Sequence, residues 1–121
     1  MTNKEFGKKL ENRTKIFAYD IIKLSASIPY SEESKVVKYQ VTKSGTSIGA
    51  NYREANRSRS KADFYHKIKI SEGEASETVY WLELAEMAFL HGSNEVKRLL
   101  IESNELLAIF TTISSKMKKK K

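Results

Sequence analysis

A chain of 121 residues is the size of one domain, and its hydrophobic fraction of 40% is enough to fill one core. It has no cysteine, which excludes disulfides and thiolate metal sites, and no apolar run near the roughly 20 residues of a membrane span. The net charge of +7 invites a nucleic-acid reading, but Lys116 and Lys118 to Lys121 supply most of it, so the placement of the other cations matters more than the total.

The first helix is expected from about Glu5 to Ser27. Phe6, Leu10, Phe17, Ile21, Leu24 and Ile28 recur at helical spacings along it. Residues 1–15 are charged throughout, so no signal-peptide pattern is visible and a cytoplasmic location is expected. Pro29 stops this helix, because the residue before a proline is biased away from helical geometry. Ser31 is placed to cap the second helix.

The second helix is expected from about Glu32 to Arg57, with an inward stripe of Val37, Val41, Ser44, Ile48, Asn51/Tyr52 and Ala55. Small residues fill Ser44 to Ala50 almost without interruption. Each glycine inside a helix costs roughly 1 kcal/mol relative to alanine, so Gly45 and Gly49, one turn apart, predict close approach of another helix. So thin a stripe implies close packing, an incomplete core, or a face shared with another subunit.

Ser58-Arg59-Ser60 forms the next break, and Ser60 with Asp63 resembles a capping box with aspartate for glutamate. The third helix runs to about Leu90. Its stripe is Phe64, Ile68, Ser71, Ala75, Thr78, Leu82, Ala85 and Phe89, but Tyr65, Ile70, Tyr80, Trp81, Leu84 and Met87 lie off it. This helix is therefore apolar on more than one side, and Trp81 points to a protein interface. Gly92 is expected to end it, with Ser93 or Asn94 capping the fourth helix, whose stripe runs from Val96 through Leu106 and Phe110 to Met117. No segment alternates with period two. The pattern predicts an all-α, up-down-up-down antiparallel four-helix bundle over residues 1–117, followed by a disordered lysine tail at 118–121.

Among sites, the cluster Arg53, Arg57, Arg59 and Lys61 is suited to hold phosphates. Cations in a last turn also complement the helix dipole, and Glu54 is spaced to pair Arg57, so a purely structural role stays open. A di-metal carboxylate bundle needs two Glu-x-x-His motifs, and only Asp63-x-x-His66 comes near. No metal or cofactor site is therefore expected. No nucleophile elbow, Walker loop or dinucleotide fingerprint is present, so the chain is not expected to be an enzyme.

Two segments carry a resemblance. Ser47-Ile48-Gly49-Ala50-Asn51-Tyr52-Arg53-Glu54, and the acidic-aromatic run Glu74-Ala75-Ser76-Glu77-Thr78-Val79-Tyr80-Trp81-Leu82-Glu83-Leu84, are similar to the bacterial four-helix bundle proteins encoded in intervening sequences of 23S ribosomal RNA genes. Ala55 stands where that family usually has glycine. The resemblance implies the same fold and singles out Asn51 and Glu54. Asn51 is read as an inward amide that fixes helix register, or as part of a polar pocket with Glu54 at a subunit interface. It also implies RNA as a partner, and self-association into a pentamer like the related basic bundles that assist retroelement reverse transcriptases. Two functions follow: a small oligomer that binds structured RNA or another nucleic acid through a basic rim, or a protein-interaction scaffold that binds none.

Overall fold

The structure, a computed structural model, describes residues 1–119. It contains α1 (Asn3–Ser27), α2 (Glu32–Ala55), α3 (Lys61–Ala88) and α4 (Asn94–Lys119), with no strand among the described residues. Each helix packs on the next, α4 closes back on α1, and the backbones of the diagonal pairs stay apart. That is an antiparallel up-down-up-down four-helix bundle.

Local chemistry sets the boundaries. The Thr2 hydroxyl accepts from the Glu5 amide at 3.0 Å, so α1 begins slightly earlier than Glu5. Ser31 and Ser34 form a reciprocal capping box at the start of α2, with bonds of 3.0 and 2.8 Å. Ser60 makes half of such a box, accepting from the Asp63 amide at 3.0 Å; the reciprocal bond expected from the Asp63 carboxylate is not made. Ser93, rather than Asn94, caps α4 by accepting from the Val96 amide at 3.3 Å. Two ends differ from expectation. α2 stops at Ala55 rather than Arg57, and α3 stops at Ala88 rather than Leu90. Gly92, at φ +70°, therefore lies within the following loop, where a left-handed residue turns the chain. α4 continues through Lys118 to Lys119, because nothing in the sequence breaks the helix there. Of the tail expected at 118–121, residues 120 and 121 lie outside the described residues.

All four helices fill one core. Phe17 and Ile21 of α1, Val41 and Ile48 of α2, Ile68 and Leu82 of α3, and Leu106 and Phe110 of α4 are each at most 1% exposed. Tyr52 meets Phe110 edge-on with ring centroids 5.4 Å apart.

The seams differ in chemistry. Between α1 and α2, a β-carbon built on Gly45 would lie 2.8 Å from Ile21 Cγ2, and one on Gly49 would lie 2.8 Å from Thr14 Oγ1. The small-residue face is thus where α1 crosses. Between α2 and α3 the buried contacts are hydroxyls: Ser71 donates to the Ile48 carbonyl at 2.9 Å, and the Thr78 and Ser44 hydroxyls lie 2.9 Å apart. No buried side-chain polar atom among the described residues lacks a partner. α1 lacks a cation in its last turn, and Lys38 of α2 supplies one, donating to the carbonyls of Ser25 (2.6 Å) and Ile28 (2.5 Å). Between α1 and α4, Arg13 grips Glu102 through two bonds of 2.7 Å and reaches Glu105 at 3.0 Å, while Arg98 pairs with Asp20 and Glu95. These carboxylates hold both guanidiniums in the charged form, above the ordinary arginine value.

No described helix is long and apolar enough to cross a membrane. The outward side of α3 does carry exposed apolar groups, with Tyr80 55% and Met87 68% accessible.

Candidate nucleic-acid interface

The last turn of α2 sets Arg53 one turn before Arg57. The chain then closes through hydrogen bonds donated by the Arg57 N–H to the Glu54 carbonyl and by the Ser58 N–H to the Ala55 carbonyl, each 3.0 Å. Arg59 follows in the loop and Lys61 opens α3. All four cations are exposed, and none makes an ion pair among the described residues. Glu54 does not restrain Arg57 as its spacing allows, because it pairs with Lys67 across the α2–α3 corner at 2.9 Å. The helix dipole favours Arg53 and Arg57 at a C-terminal end but disfavours Lys61 at an N-terminal one, so it does not account for the whole cluster.

Antiparallel packing adds to this end of the bundle. The N-terminal half of α1 lies beside the C-terminal half of α2: Glu11 accepts from the Asn56 side-chain amide at 2.8 Å, and Thr14 sits on Gly49. Lys8 and Lys15, both exposed and without ion pairs among the described residues, are thereby brought to the same face as Arg53 and Arg57. Thr111 of α4 donates to Glu72 of α3 at 2.8 Å, which places the α4 C-terminus, with Lys116 and Lys118, at that end too. A trough of about 390 Å³ runs between α1 and α2, floored by Gly49, Ala50 and Ala18 and edged by Lys15 and Arg53. Sequence spacing identified the α2 half of this surface. The α1 half becomes visible only once the register between the helices is known.

Other candidate residues fall elsewhere. Asn51 is half-buried, and its amide donates to the Ser47 carbonyl of its own helix at 2.9 Å, so it fixes no register between helices. It stands on the α3 side of α2 rather than at the centre of the stripe. Glu54 is exposed and pairs with Lys67. Trp81 is only half-exposed: it packs against the core beside Ile28, Val37 and Ala85, meets Tyr80 edge-on at 5.1 Å, and donates to Glu77 at 3.3 Å. The free apolar surface of α3 is carried by Tyr80 and Met87 instead. Asn56, suited by type to a phosphate contact, is engaged by Glu11.

Several described groups have shifted titration. Burial pushes the Tyr52 hydroxyl up, and burial also raises the Glu74 carboxyl. Lys69, hydrogen-bonded to Glu72, holds that carboxyl below its ordinary value. These groups sit on different seams. No group of three potential metal ligands comes together among the described residues, and His66 and His91 are both exposed.

Residues 8–112 match the model of the family described as 23S rRNA-intervening sequence protein. The chain belongs to that family. The fold agrees with a solved structure from Bacteroides thetaiotaomicron, a protein of unknown function from the S23 ribosomal protein family. The two are 34% identical with a TM-score of 0.78, over 86% of this chain and 96% of the other. No curated protein matches the chain. The family assignment accounts for the bundle.

Proposed function

We propose that this bundle is a non-enzymatic, cytoplasmic homo-oligomer that binds structured RNA or another nucleic acid through Arg53, Arg57, Arg59 and Lys61. One observation carries the reading. The chain has arginines in two settings: Arg13 and Arg98 are clamped by carboxylates, whereas the three at the α2 end make no ion pair among the described residues. Unclamped guanidiniums suit bidentate phosphate contact, and such contacts read shape rather than base sequence. The link of this family to 23S ribosomal RNA genes, and the ribosomal name of the Bacteroides protein's family, favour RNA among polyanions. Exposed Tyr80 and Met87 favour self-association through α3. A pentamer, the stoichiometry implied by the resemblance to basic pentameric bundles, repeats the basic end and adds modest contacts through multivalency.

The same Tyr80–Met87 surface favours a second reading, a protein-interaction scaffold that binds no nucleic acid. RNA binding measured against salt decides between them, using the full chain and a chain ending at Ser115. The expected result is a salt-dependent affinity that survives loss of the tail and falls, with a flatter salt slope, on Arg53→Glu with Arg57→Glu. A shortened chain that binds no RNA at low salt, or a reversed variant that binds like its parent, leaves the scaffold reading. Sedimentation of the same samples gives the stoichiometry.

A further inference from the structure

We propose that the α1–α2 face seats a single-stranded stretch of RNA, with phosphates held between Lys15 and Arg53 and bases stacked on Tyr19 and Tyr39. The inference rests on the nucleic-acid reading above and goes further by naming the strand class and its path.

Helical spacing aligns the groups. Lys8, Asn12, Lys15, Tyr19 and Ile22 follow one another at steps of four and three along the outward side of α1. Along α2, Tyr39, Thr46, Ala50 and Arg53 follow at steps of seven, four and three, and Arg57 stands four residues on, just past the helix end. The register between the two helices is set at three levels. Asn56 meets Glu11, Gly49 meets Thr14, and the Ser25 hydroxyl meets the Lys38 carbonyl at 3.3 Å. The face therefore runs from a basic half, Lys8 and Arg57 followed by Lys15 and Arg53, into an aromatic half. Between Lys8 and Ile22 it covers roughly 20 Å of helix axis.

Both tyrosines are free to act. Tyr19 is 61% and Tyr39 63% exposed, so both rings are open to solvent. The Lys23 ammonium lies 5.6 Å from the Tyr19 ring centroid, so a cation already flanks one platform. A positive groove beside exposed aromatic rings is the combination that holds single strands, since unpaired bases offer their faces for stacking. A duplex keeps its bases stacked internally and has nothing to place on the rings. The trough suits a backbone as well: its floor of Gly49, Ala50 and Ala18 leaves room for one strand, with Thr46 and Asn12 as polar neighbours. Glu11 is the one carboxylate lining the trough, and Asn56 already bonds it.

The test compares a short fluorescent oligouridine with a blunt RNA duplex of the same length, binding to the full chain. Tyr19→Ala with Tyr39→Ala is expected to weaken the oligouridine about tenfold, with an unchanged salt slope and no change for the duplex. Tyr19→Phe with Tyr39→Phe keeps the rings and is expected to bind like the parent. Ala50→Trp, an uncharged plug at an exposed position, is expected to weaken the oligouridine as well. Circular dichroism confirms that each variant retains its fold. If Arg57→Glu with Arg59→Glu weakens both RNAs while the alanine pair and Ala50→Trp change neither, the basic end stands and the single-strand path falls. If the alanine pair alters sedimentation but not RNA affinity, the face is a protein interface and the inference is overturned. If the parent binds neither RNA, both readings fall together.

Discussion

Gly49→Ala is the most direct test of how the bundle is packed. In an open helix the change is favourable by about 1 kcal/mol, because alanine costs less backbone entropy. Here the new methyl carbon would stand 2.8 Å from Thr14 Oγ1, 3.0 Å from Thr14 Cβ and 3.3 Å from the Thr14 carbonyl carbon. Comfortable carbon contacts lie near 3.5–4.0 Å. Thr14 cannot swing aside, since it is fully buried and its hydroxyl serves the carbonyls of Leu10 at 2.9 Å and Glu11 at 3.0 Å. The backbone of α1 must shift, and such overpacking costs about 1–3 kcal/mol. The balance is a net loss of about 1 kcal/mol, or roughly 4 °C in Tm for a domain of this size. Gly73 provides an internal control: it is also mid-helix, but a β-carbon there meets nothing within 4 Å. Gly73→Ala is expected to raise Tm by roughly 4 °C. Thermal melts followed by circular dichroism at one protein concentration compare the two fairly, because self-association would make Tm concentration-dependent. If Gly49→Ala rises in step with Gly73→Ala, the close approach of α1 to α2 is wrong.

Two further outcomes come from groups on other seams. Lys38→Met removes both bonds to the last carbonyls of α1 and is expected to cost about 1–2 kcal/mol in urea unfolding with an unchanged m value; no loss would mean that water replaces the lysine without penalty. Glu74 is raised above its ordinary value near 4.5, first by burial and then by Glu77, with Ser47 and Lys43 opposing. Its folded pKa exceeds its unfolded one, so the charged form disfavours folding at neutral pH; this penalty fades as pH falls through the raised folded value and is gone below the ordinary one. Glu74→Gln is therefore expected to stabilise the protein near pH 7 and to match the parent below about pH 4; a gain that persists in acid would contradict the assignment.

The sequence made the helices legible because their signals are local. Pro29, Ser31 and Ser60 act on their own neighbours, and stripes such as Phe17, Ile21 and Leu24 repeat within one element. Contacts that depend on register between helices were not legible. Lys38 reads as a surface cation until α1 is seen to end beside it. Arg13 and Glu102 stand far apart in sequence and meet only through the α1–α4 seam. Asn51 differs for another reason: it lies at the edge of the stripe, where a short amide reaches its own Ser47 carbonyl more readily than another helix. Trp81 is large enough to cover the core while leaving part of its ring outside, so its place off the stripe did not mean a free surface.

The candidate site and the packing share one cause in α2. Gly45 and Gly49 face α1, and Ser44 faces Thr78 of α3, so neighbours approach α2 closely on two sides. Close approach without large side chains leaves a trough at the α1–α2 seam instead of a ridge, and long cations on its margins stand above a floor of Gly49 and Ala50. A residue that fills Gly49 therefore disturbs stability and trough together, whereas Gly73 lies on α3, away from both. Gly73→Ala should change Tm without changing RNA affinity, and Ala50→Trp, at an exposed position, should change affinity with little effect on Tm. Stability and binding are separable on this face because Gly49 packs directly on Thr14 of α1 whereas Ala50 beside it is exposed.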